Sequence, residues 1–499
     1  MLEEAERLST RRPRIVIIGG GITGLAAAHR LLELNRETGL AFDILIFEAG
    51  SRLGGVLKSY DRDGFLIEAG ADSFISEKPE AIELAKRIGL ESHLIQTNKD
   101  HRRSFIVRNG RLRPVPEGFQ LLAPARFWPF ITTDIFSWSG KARMALDLFI
   151  PRREVANGVD DESLAQFVRR RLGREAFERM AQPMIGGIYT ADPERLSVGA
   201  TLPRFLEMER EHGSVIRAMW KQGRSPTVRE GLKKAASAQS GTSGARYSLF
   251  LSFDGGMQML ADRLSSRLPS GAVQLNTKAK ALLFDAATRQ WEIRLSDDKS
   301  IRADTICLAV PAFAAASLLR DTDVELSRAL DRIEFASTAT INLAYRRTDI
   351  PHPLDGFGFV VPFIEHRSIL ACTFSSVKFA GRAPADRVLL RAFAGGALQP
   401  EIFELDENEM IGRVRSDLRD LLGVEEPPLF TLVEKWQRSM PQYNVGHLKL
   451  VSQIQARVGD LPGLQLAGNS YDGVGVPDCI RGGECAASGL FQSAIFPSS

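Results

Sequence analysis

A short apolar run near the N-terminus leads directly into a glycine-rich turn. Ile15–Ile18 is a β-branched run, which is typical of a strand buried on both faces. The residues from Ile22 to about Leu34 favour a helix, and Ile44–Phe47 is a second apolar run of strand length. Strand, turn, helix and strand in this order predict the opening unit of a parallel α/β sheet.

The glycines of the turn add chemistry to this pattern. Gly19, Gly21 and Gly24 match Gly-x-Gly-x-x-Gly, which allows a tight turn, close approach to a pyrophosphate and close packing of helix on strand. Glu48 ends the second strand, where an acidic side chain meets a ribose hydroxyl. A chance glycine turn is the alternative, but the ordered elements favour a dinucleotide-binding domain, with phosphate at the helix N-terminus.

This domain is interrupted, because another buried run, Leu464–Ala467, returns near the C-terminus after the one at Thr305–Val310. Three more runs predict a second sheet: Thr338–Tyr345, Gly358–Val361 and Leu389–Phe393. A helix over Asp160–Arg171 has Asp161 or Ser163 as its cap. The predicted domains are a dinucleotide-binding domain (1–94, 250–315 and 455–499), a mostly helical domain (95–205) and a substrate-binding sheet domain (206–249 and 316–454).

Length and composition narrow the class of protein. A chain of 499 residues is expected to form roughly two or three domains. Its 64 basic and 61 acidic residues leave a net charge of +3, so no nucleic-acid partner is expected. The four cysteines lack Cys-x-x-Cys spacing and the seven histidines are scattered, so we expect reduced thiols and no metal site.

The distribution of apolar residues also predicts a cytoplasmic location. Met1–Arg12 is charged and polar, and no run of about 18 uncharged apolar residues follows, so neither a signal peptide nor a membrane span is expected. Phe119–Trp138 concentrates aromatic residues around two prolines. We expect a helical core around a large apolar substrate, with a patch resting on the inner face of the cell membrane as the alternative.

Arg52, Gly54 and Gly55 follow the acidic residue closely. An Arg-x-Gly-Gly sequence in this place resembles the signature of two-dinucleotide-domain flavoproteins, and not that of nicotinamide dehydrogenases. Glu48 also argues against NADP, whose 2′-phosphate favours arginine. The resemblance implies FAD as the cofactor. The alternative is that Arg52 is an ordinary surface residue in a turn, with no role in cofactor binding.

Five segments, in order along the chain, resemble the protoporphyrinogen oxidase family. They are Arg-Leu-Gly-Gly-Val (52–56), Gly-Ala-Asp-Ser-Phe (70–74), Gly-Gly-Ile-Tyr-Thr-Ala-Asp-Pro (186–193), Leu-Asp-Gly-Phe-Gly (354–358) and Ser-Tyr-Asp-Gly-Val-Gly-Val-Pro-Asp-Cys-Ile (470–480). The resemblance implies an α/β fold with a Rossmann-type FAD-binding domain of the amine-oxidase-like flavoprotein group. A substrate-binding sheet domain and a helical domain are inserted into it.

The same resemblance implies an activity. FAD-dependent oxidation would convert a porphyrinogen to the porphyrin in haem biosynthesis, using O2, with six electrons removed in three steps and H2O2 formed. Bacterial members act on protoporphyrinogen IX or coproporphyrinogen III, and the motifs do not separate the two. No catalytic side chain is assigned, because hydride loss gives a delocalised cation whose N–H proton leaves to solvent.

The resemblance also implies site residues. The family's substrate contacts fall on Gly187 and Phe357, and Arg103 is the candidate for a third contact. Phe357 would lie against the porphyrinogen and the Gly187 carbonyl would face its ring nitrogens, with a core phenylalanine and a turn glycine as the alternatives. Its FAD contacts fall on Gly19, Gly20, Gly21, Ile22, Thr23, Gly24, Glu48, Arg52, Gly54, Gly55, Val56, Gly70, Ala71, Asp72, Ser73, Ala279, Asn469, Val474, Gly475 and Val476.

One position departs from the family pattern. Several members have an arginine directly before the strand that begins at Phe105, where this chain has Ser104. A one-residue bulge would bring Arg103 into that role, in which a guanidinium suits a propionate. Otherwise Arg102 and Arg103 are solvated surface charges.

Other classes share the N-terminal motifs. A flavin amine oxidase would carry an aromatic cage and a lysine near the flavin, which the sequence does not locate. A carotenoid-type desaturase would lack the segments at 186–193 and 354–358, and a non-enzymatic FAD-binding protein is least favoured. A homodimer and a peripheral membrane contact are both left open.

Overall fold

A five-stranded parallel sheet carries the N-terminal glycine turn. The computed structural model describes residues 12–120, 123–124, 126–153, 161–222 and 250–495. In spatial order the strands of the parallel sheet are Val273–Gln274, Asp43–Phe47, Arg14–Ile18, Thr305–Leu308 and Leu464–Leu466. The predicted strands of this sheet are confirmed, and its last strand does return from the C-terminal end of the chain.

Both faces of the parallel sheet are covered, which is why its strands are continuous apolar runs. Ile15 and Ile17 face a group of helices, namely Ile22–Thr38, Glu80–Arg87, Gln258–Ser265 and Val476–Ile495. Val16 and Ile18 face the other side, which is formed by the strands Ala279–Asp285, Gln290–Leu295 and Ser300–Ala303 and the helices Ala312–Leu319, Val324–Asp331 and His447–Gly459.

The second sheet has seven strands and is antiparallel except at one pair. Its spatial order is Phe430–Pro441, Phe335–Arg346, Arg387–Gly395, Ile369–Phe374, Gly358–Val360, Phe105–Arg108 and Arg111–Pro114. The three predicted strands of the second sheet are therefore confirmed. Helices Pro400–Glu404 and Glu407–Leu422 cover one of its faces.

Residues 105–114 correct one expectation. The region 95–205 is expected to be mostly helical, but besides the strand expected at Phe105 it contributes Arg111–Pro114, and both Phe105–Arg108 and Arg111–Pro114 belong to the seven-stranded sheet. Phe359 pairs with Phe105 in parallel register. No local pattern signals a pairing across such a sequence separation.

The helices between Phe127 and Gln222 form an apolar core of their own, here called the helical core. Ser163, one of the two predicted caps, forms a capping box with Gln166. The helices are Phe127–Thr132, Trp138–Ala145, Leu164–Arg171, Arg174–Ala176, the π-helix Phe177–Ala181, Gln182–Tyr189, Val198–Thr201, Pro203–His212 and Val215–Gln222. The last two pack into this core, although the sequence assigns 206–249 to the sheet domain. Residues 223–249 lie outside the described ranges, and the domain boundaries stay a prediction.

The remaining elements are short. The strands are Ser59–Arg62 with Phe65–Glu68, Phe74–Ile75 with Phe250–Phe253 and Leu94–Gln96, and Phe119–Gln120 with Ala123–Pro124. The short helices are Glu91–His93, Leu146–Leu148, Arg347–Asp349, Phe363–Glu365 and Ser375–Lys378.

The aromatic residues of the segment Phe119–Trp138 are partly buried in the helical core and partly exposed on the surface. Phe119, Phe130 and Phe136 are buried in the helical core, whereas Trp128 and Trp138 are 74% and 72% exposed. Along the described part of the chain, no helix combines the length and apolar character needed to cross a bilayer.

Candidate flavin and substrate site

The glycine turn is shaped to receive a phosphate. Gly19 has a φ of +110°, and a Cβ there would stand 2.4 Å from the Ala309 carbonyl oxygen. A Cβ on Gly24 would stand 2.0 Å from the carbonyl oxygen of Gly19, so the helix packs directly on the turn. By contrast, a Cβ on Gly21 would meet nothing within 4 Å. The open space therefore lies at the residue that caps the helix.

The helix that follows offers its first amides to this space. Gly21 is its N-cap and makes no side-chain capping hydrogen bond. The amides of Ile22, Thr23 and Gly24 belong to the first turn, which has no intrahelical acceptors. These amides and the positive end of the helix dipole suit the phosphates of a dinucleotide.

Glu48 connects the first two strands of the site. Its carboxylate accepts hydrogen bonds from the amides of Gly20 and Gly50, both at 2.7 Å. The carbonyl oxygen of Glu48 accepts a hydrogen bond from the amide of Thr277 at 2.8 Å. Ala279, one of the predicted FAD contacts, begins its strand two residues after Thr277 and is buried. Glu48 and Ala279 are thus close neighbours.

A second glycine loop runs beside the first. The Gly54 amide donates to the Gly20 carbonyl at 2.8 Å, and Gly21 and Gly54 form an isolated parallel bridge. Arg52 donates to the carbonyl oxygens of Leu53 and Leu57, at 2.9 Å each. It therefore shapes the loop from within and is not a free surface residue.

The segment Ala69–Ser73 lies against this second loop. A Cβ on Gly70 would stand 1.8 Å from the carbonyl oxygen of Val56, and the Ala71 amide donates to that oxygen at 3.2 Å. The Ala69 carbonyl accepts hydrogen bonds from Thr340 at 2.7 Å and from Trp436 at 3.0 Å. Two strands of the seven-stranded sheet therefore hold this segment in place.

Two cations that the sequence did not suggest hold the same segment. Lys378 lies 2.8 Å from the carboxylate of Asp72, and the guanidinium of Arg391 donates to the Gly70 carbonyl. Burial alone would raise the pKa of Asp72, but Lys378 and Arg391 outweigh that effect and hold the pKa well below its usual range. Both cations are more than 300 residues away in sequence, so no local signal indicates the contact.

The C-terminal loop returns to the first helix. The helix Val476–Ile495 begins directly after Gly475. A Cβ on Gly483 would stand 2.3 Å from the Thr23 carbonyl oxygen, so this helix packs closely on the N-terminal helix. Asn469 precedes the loop and donates from Nδ2 to the Ser439 carbonyl at 3.4 Å.

The predicted substrate residues occur beside two neighbouring strands of the seven-stranded sheet, Gly358–Val360 and Phe105–Arg108. The Phe357 amide donates to the Arg103 carbonyl at 2.8 Å, and Phe357 is buried. The side chain of Arg103 is half exposed and pairs with Asp355 at 3.0 Å. Gly187 lies near Val360, three residues after Phe357, because a Cβ on Gly187 would stand 3.9 Å from Val360 Cγ1.

A small cleft, partly open to solvent, adjoins Gly187 between the helix Gln182–Tyr189 and the seven-stranded sheet. Its wall is mostly apolar or glycine and includes Pro183, Gly186, Val361 and Leu370. A π-helix at Phe177–Ala181 immediately precedes the wall helix. Such irregular turns are frequent at functional sites.

A parallel sheet with two converging glycine loops, closed by a C-terminal helix, defines a dinucleotide-binding oxidoreductase of the flavoprotein type. The open space at Gly21 and the free amides of the first helical turn fit the pyrophosphate of FAD. The chain belongs to the flavin containing amine oxidoreductase family, whose model matches residues 22–490. FAD as cofactor and the amine-oxidase-like fold are thereby confirmed.

Individual relatives match over nearly the whole chain. A coproporphyrinogen III oxidase from Bacillus subtilis is 33% identical, with 96% of this chain and 98% of the relative covered. The protoporphyrinogen oxidase 2 of Arabidopsis thaliana is 28% identical, with 97% and 94% covered. A crystal structure of an Exiguobacterium protein assigned as a protoporphyrinogen oxidase superposes with a TM-score of 0.82 at 29% identity, covering 96% of this chain and 99% of that one.

Proposed function

We propose that the protein oxidises coproporphyrinogen III to coproporphyrin III in haem biosynthesis, with O2 as the electron acceptor. The end-to-end similarity to the Bacillus subtilis coproporphyrinogen III oxidase carries this proposal. The lower identity to the Arabidopsis thaliana protoporphyrinogen oxidase makes protoporphyrinogen IX the competing substrate.

FAD, when bound, supplies the chemistry by accepting a hydride equivalent from a bridging carbon of the porphyrinogen and passing the electrons to O2. Oxidation to the porphyrin removes six electrons, so three O2 are consumed and three H2O2 are released for each porphyrin. The protein's own contribution is to bind, orient and exclude water.

The side chains near Gly187 suit these tasks. Gly187 adds no side chain to the wall of its cleft, and that wall is mostly apolar. Phe357 lies three residues before Val360, the neighbour of Gly187, and supplies a buried aromatic ring. Arg103 offers a guanidinium for a substrate carboxylate. In this proposal no side chain acts as a base, and the pyrrole N–H proton leaves to solvent.

The test is a direct assay of the purified flavoprotein. Chemically reduced coproporphyrinogen III and protoporphyrinogen IX are supplied separately under air, and porphyrin fluorescence and H2O2 are both followed. We expect porphyrin to form well above the autoxidation rate, faster with coproporphyrinogen III, and with three H2O2 for each porphyrin. A rate equal to autoxidation for both substrates contradicts the proposal, and faster oxidation of protoporphyrinogen IX reverses the choice of substrate.

A second part of the proposal concerns where the protein works. We propose that the protein is cytoplasmic and touches the inner face of the cell membrane through exposed apolar side chains of residues 127–149. Four of them are Phe127, Trp128, Trp138 and Phe149, which are 51%, 74%, 72% and 81% exposed. Aromatic side chains next to basic ones favour an anionic lipid surface. Burial of the same face between two copies, as a homodimer, is the competing arrangement.

A further inference from the structure

Two aromatic residues lie between the seven-stranded sheet and the C-terminal loop, and the function proposed above does not use them. Tyr443 and His447 follow the strand Phe430–Pro441, and both are buried. Their rings stack with centroids 4.0 Å apart and planes 13° from parallel. The stack gives each ring little freedom to move.

The polar atoms of this stack bind the backbone of three alternate residues of the loop. Tyr443 Oη donates a hydrogen bond to the Asn469 carbonyl at 2.6 Å and accepts one from the Gly473 amide at 2.9 Å. His447 Nε2 lies 3.2 Å from the Tyr471 carbonyl. Because a carbonyl oxygen only accepts, this nitrogen carries the proton. The tyrosine hydroxyl thus ties together the two ends of the segment 469–473.

The backbone around Tyr443 contacts the helical core at the same time. The Ser197 amide donates to the Tyr443 carbonyl at 2.8 Å, and Leu196 and Asn444 form an isolated antiparallel bridge. The ring of Tyr443 is part of the helical core, and Val474 packs against that core. The residue therefore joins the helical core to the C-terminal loop.

We propose that Tyr443 is a positioning residue for the flavin: its hydroxyl holds the C-terminal loop in the shape that leaves the backbone of Val474–Val476 available to the cofactor. Gly473 has a φ of +104°, and a Cβ there would stand 2.4 Å from Asp478. No side chain at that position can help to hold the loop, so its shape depends on contacts from outside. The proposal rests on flavin binding and not on which porphyrinogen is oxidised.

Burial favours the neutral form of both rings. It raises the pKa of the Tyr443 phenol and lowers the pKa of His447 from its ordinary value. The neutral tyrosine remains a donor to the Asn469 carbonyl.

The loop itself offers a matched control. Tyr471 is also buried, and its hydroxyl has no hydrogen-bond partner among the described residues. Tyr443→Phe and Tyr471→Phe therefore remove the same atom from the same region. One substitution deletes two hydrogen bonds to the loop, and the other deletes none.

The first experiment titrates FAD into the two apoprotein variants and the wild-type apoprotein, and records the visible spectrum of each holoprotein. We expect Tyr443→Phe to raise the Kd for FAD by about tenfold or more and to shift the visible absorption band, because two backbone groups lose their partner. Tyr471→Phe should stay within about twofold of wild type. An unchanged Kd and spectrum in Tyr443→Phe overturn the proposal, as does an equal loss in both variants.

A second measurement needs no substitution. Amide hydrogen exchange of the wild-type apoprotein should show the Gly473 amide exchanging about 100-fold or more slowly than in an unstructured peptide. An unprotected Gly473 amide overturns the proposal even where Tyr443→Phe does not fold. Neither measurement uses a porphyrinogen, so failure here is distinct from failure of the proposed activity.

Discussion

Arg103, the predicted partner of a substrate carboxylate, makes two contacts in the structure. Its carbonyl accepts the Phe357 amide, and its guanidinium pairs with Asp355. We expect Arg103→Ala to raise the KM for the porphyrinogen by about tenfold, which is the loss of one charge-assisted hydrogen bond, with little change in kcat. Steady-state kinetics with the better substrate measure both constants.

Asp355→Asn is the matched control, because it removes the partner and leaves the arginine. If Arg103 binds a substrate carboxylate, freeing it from Asp355 keeps the KM the same or lowers it by about threefold. An equal rise in KM for both variants would indicate that the ion pair between Arg103 and Asp355 maintains the local structure and that Arg103 does not bind the substrate. An unchanged KM in Arg103→Ala removes Arg103 from the site.

Among single residues, the sequence predicted those whose role depends on the conformation of their own backbone. Gly19 and Gly24 are recognisable because any other residue would collide with the turn. Lys378 and Arg391 were missed because their role depends on a contact with Asp72 and Gly70, far away in sequence. Tyr443 was missed for the same reason, since its hydrogen-bond partners belong to a loop formed only when the chain is folded.

The turn between the first strand and first helix provides a test at the scale of an element. A Cβ on Gly21 enters open space, whereas a Cβ on Gly24 overlaps the Gly19 carbonyl. We expect Gly21→Ala to leave the free energy of unfolding of the apoprotein nearly unchanged and to weaken FAD binding by about tenfold or more, because the methyl group occupies the phosphate space.

Gly24→Ala should act differently, by destabilising the apoprotein by about 2 kcal/mol through overpacking. Denaturant unfolding of the two apoproteins and FAD titration separate the effects. A Gly21→Ala variant that binds FAD as wild type would place the pyrophosphate elsewhere.

The sequence predicted elements best where their pattern is set locally. Arg14–Ile18 and Asp43–Phe47 are buried on both faces, so nearly every position is apolar and the strand is evident. Phe105–Arg108 joins its sheet through a parallel pairing with Gly358–Val360. The sequence of neither segment indicates which strand it pairs with.

The exposed aromatic residues lead to a prediction for the whole molecule. Trp128 and Trp138 project from one segment of the helical region, with Arg126, Arg152 and Arg153 close in sequence. We expect the protein to sediment with phosphatidylglycerol vesicles and not with phosphatidylcholine vesicles, with binding reduced by salt. Replacing both tryptophans by serine should weaken vesicle binding by about tenfold or more.

Val324→Ser is the control, since Val324 is exposed on a helix that packs beside the parallel sheet. Light scattering of the same samples without vesicles tests the competing arrangement. Two results together would favour the homodimer: the wild type is a dimer that the tryptophan substitutions dissociate, and the wild type does not bind vesicles. In that case the exposed apolar side chains of residues 127–149 contact a second copy of the chain.

The divided parallel sheet has a consequence for how the protein is made. The glycine turn is translated long before the strand Leu464–Leu466 and the helix Val476–Ile495, which packs on Thr23. Until these elements are translated, a nascent chain carries only part of the nucleotide pocket. We expect FAD to be retained only once the strand Leu464–Leu466 and the helix Val476–Ile495 are in place, so a chain truncated before that strand should be isolated without flavin colour.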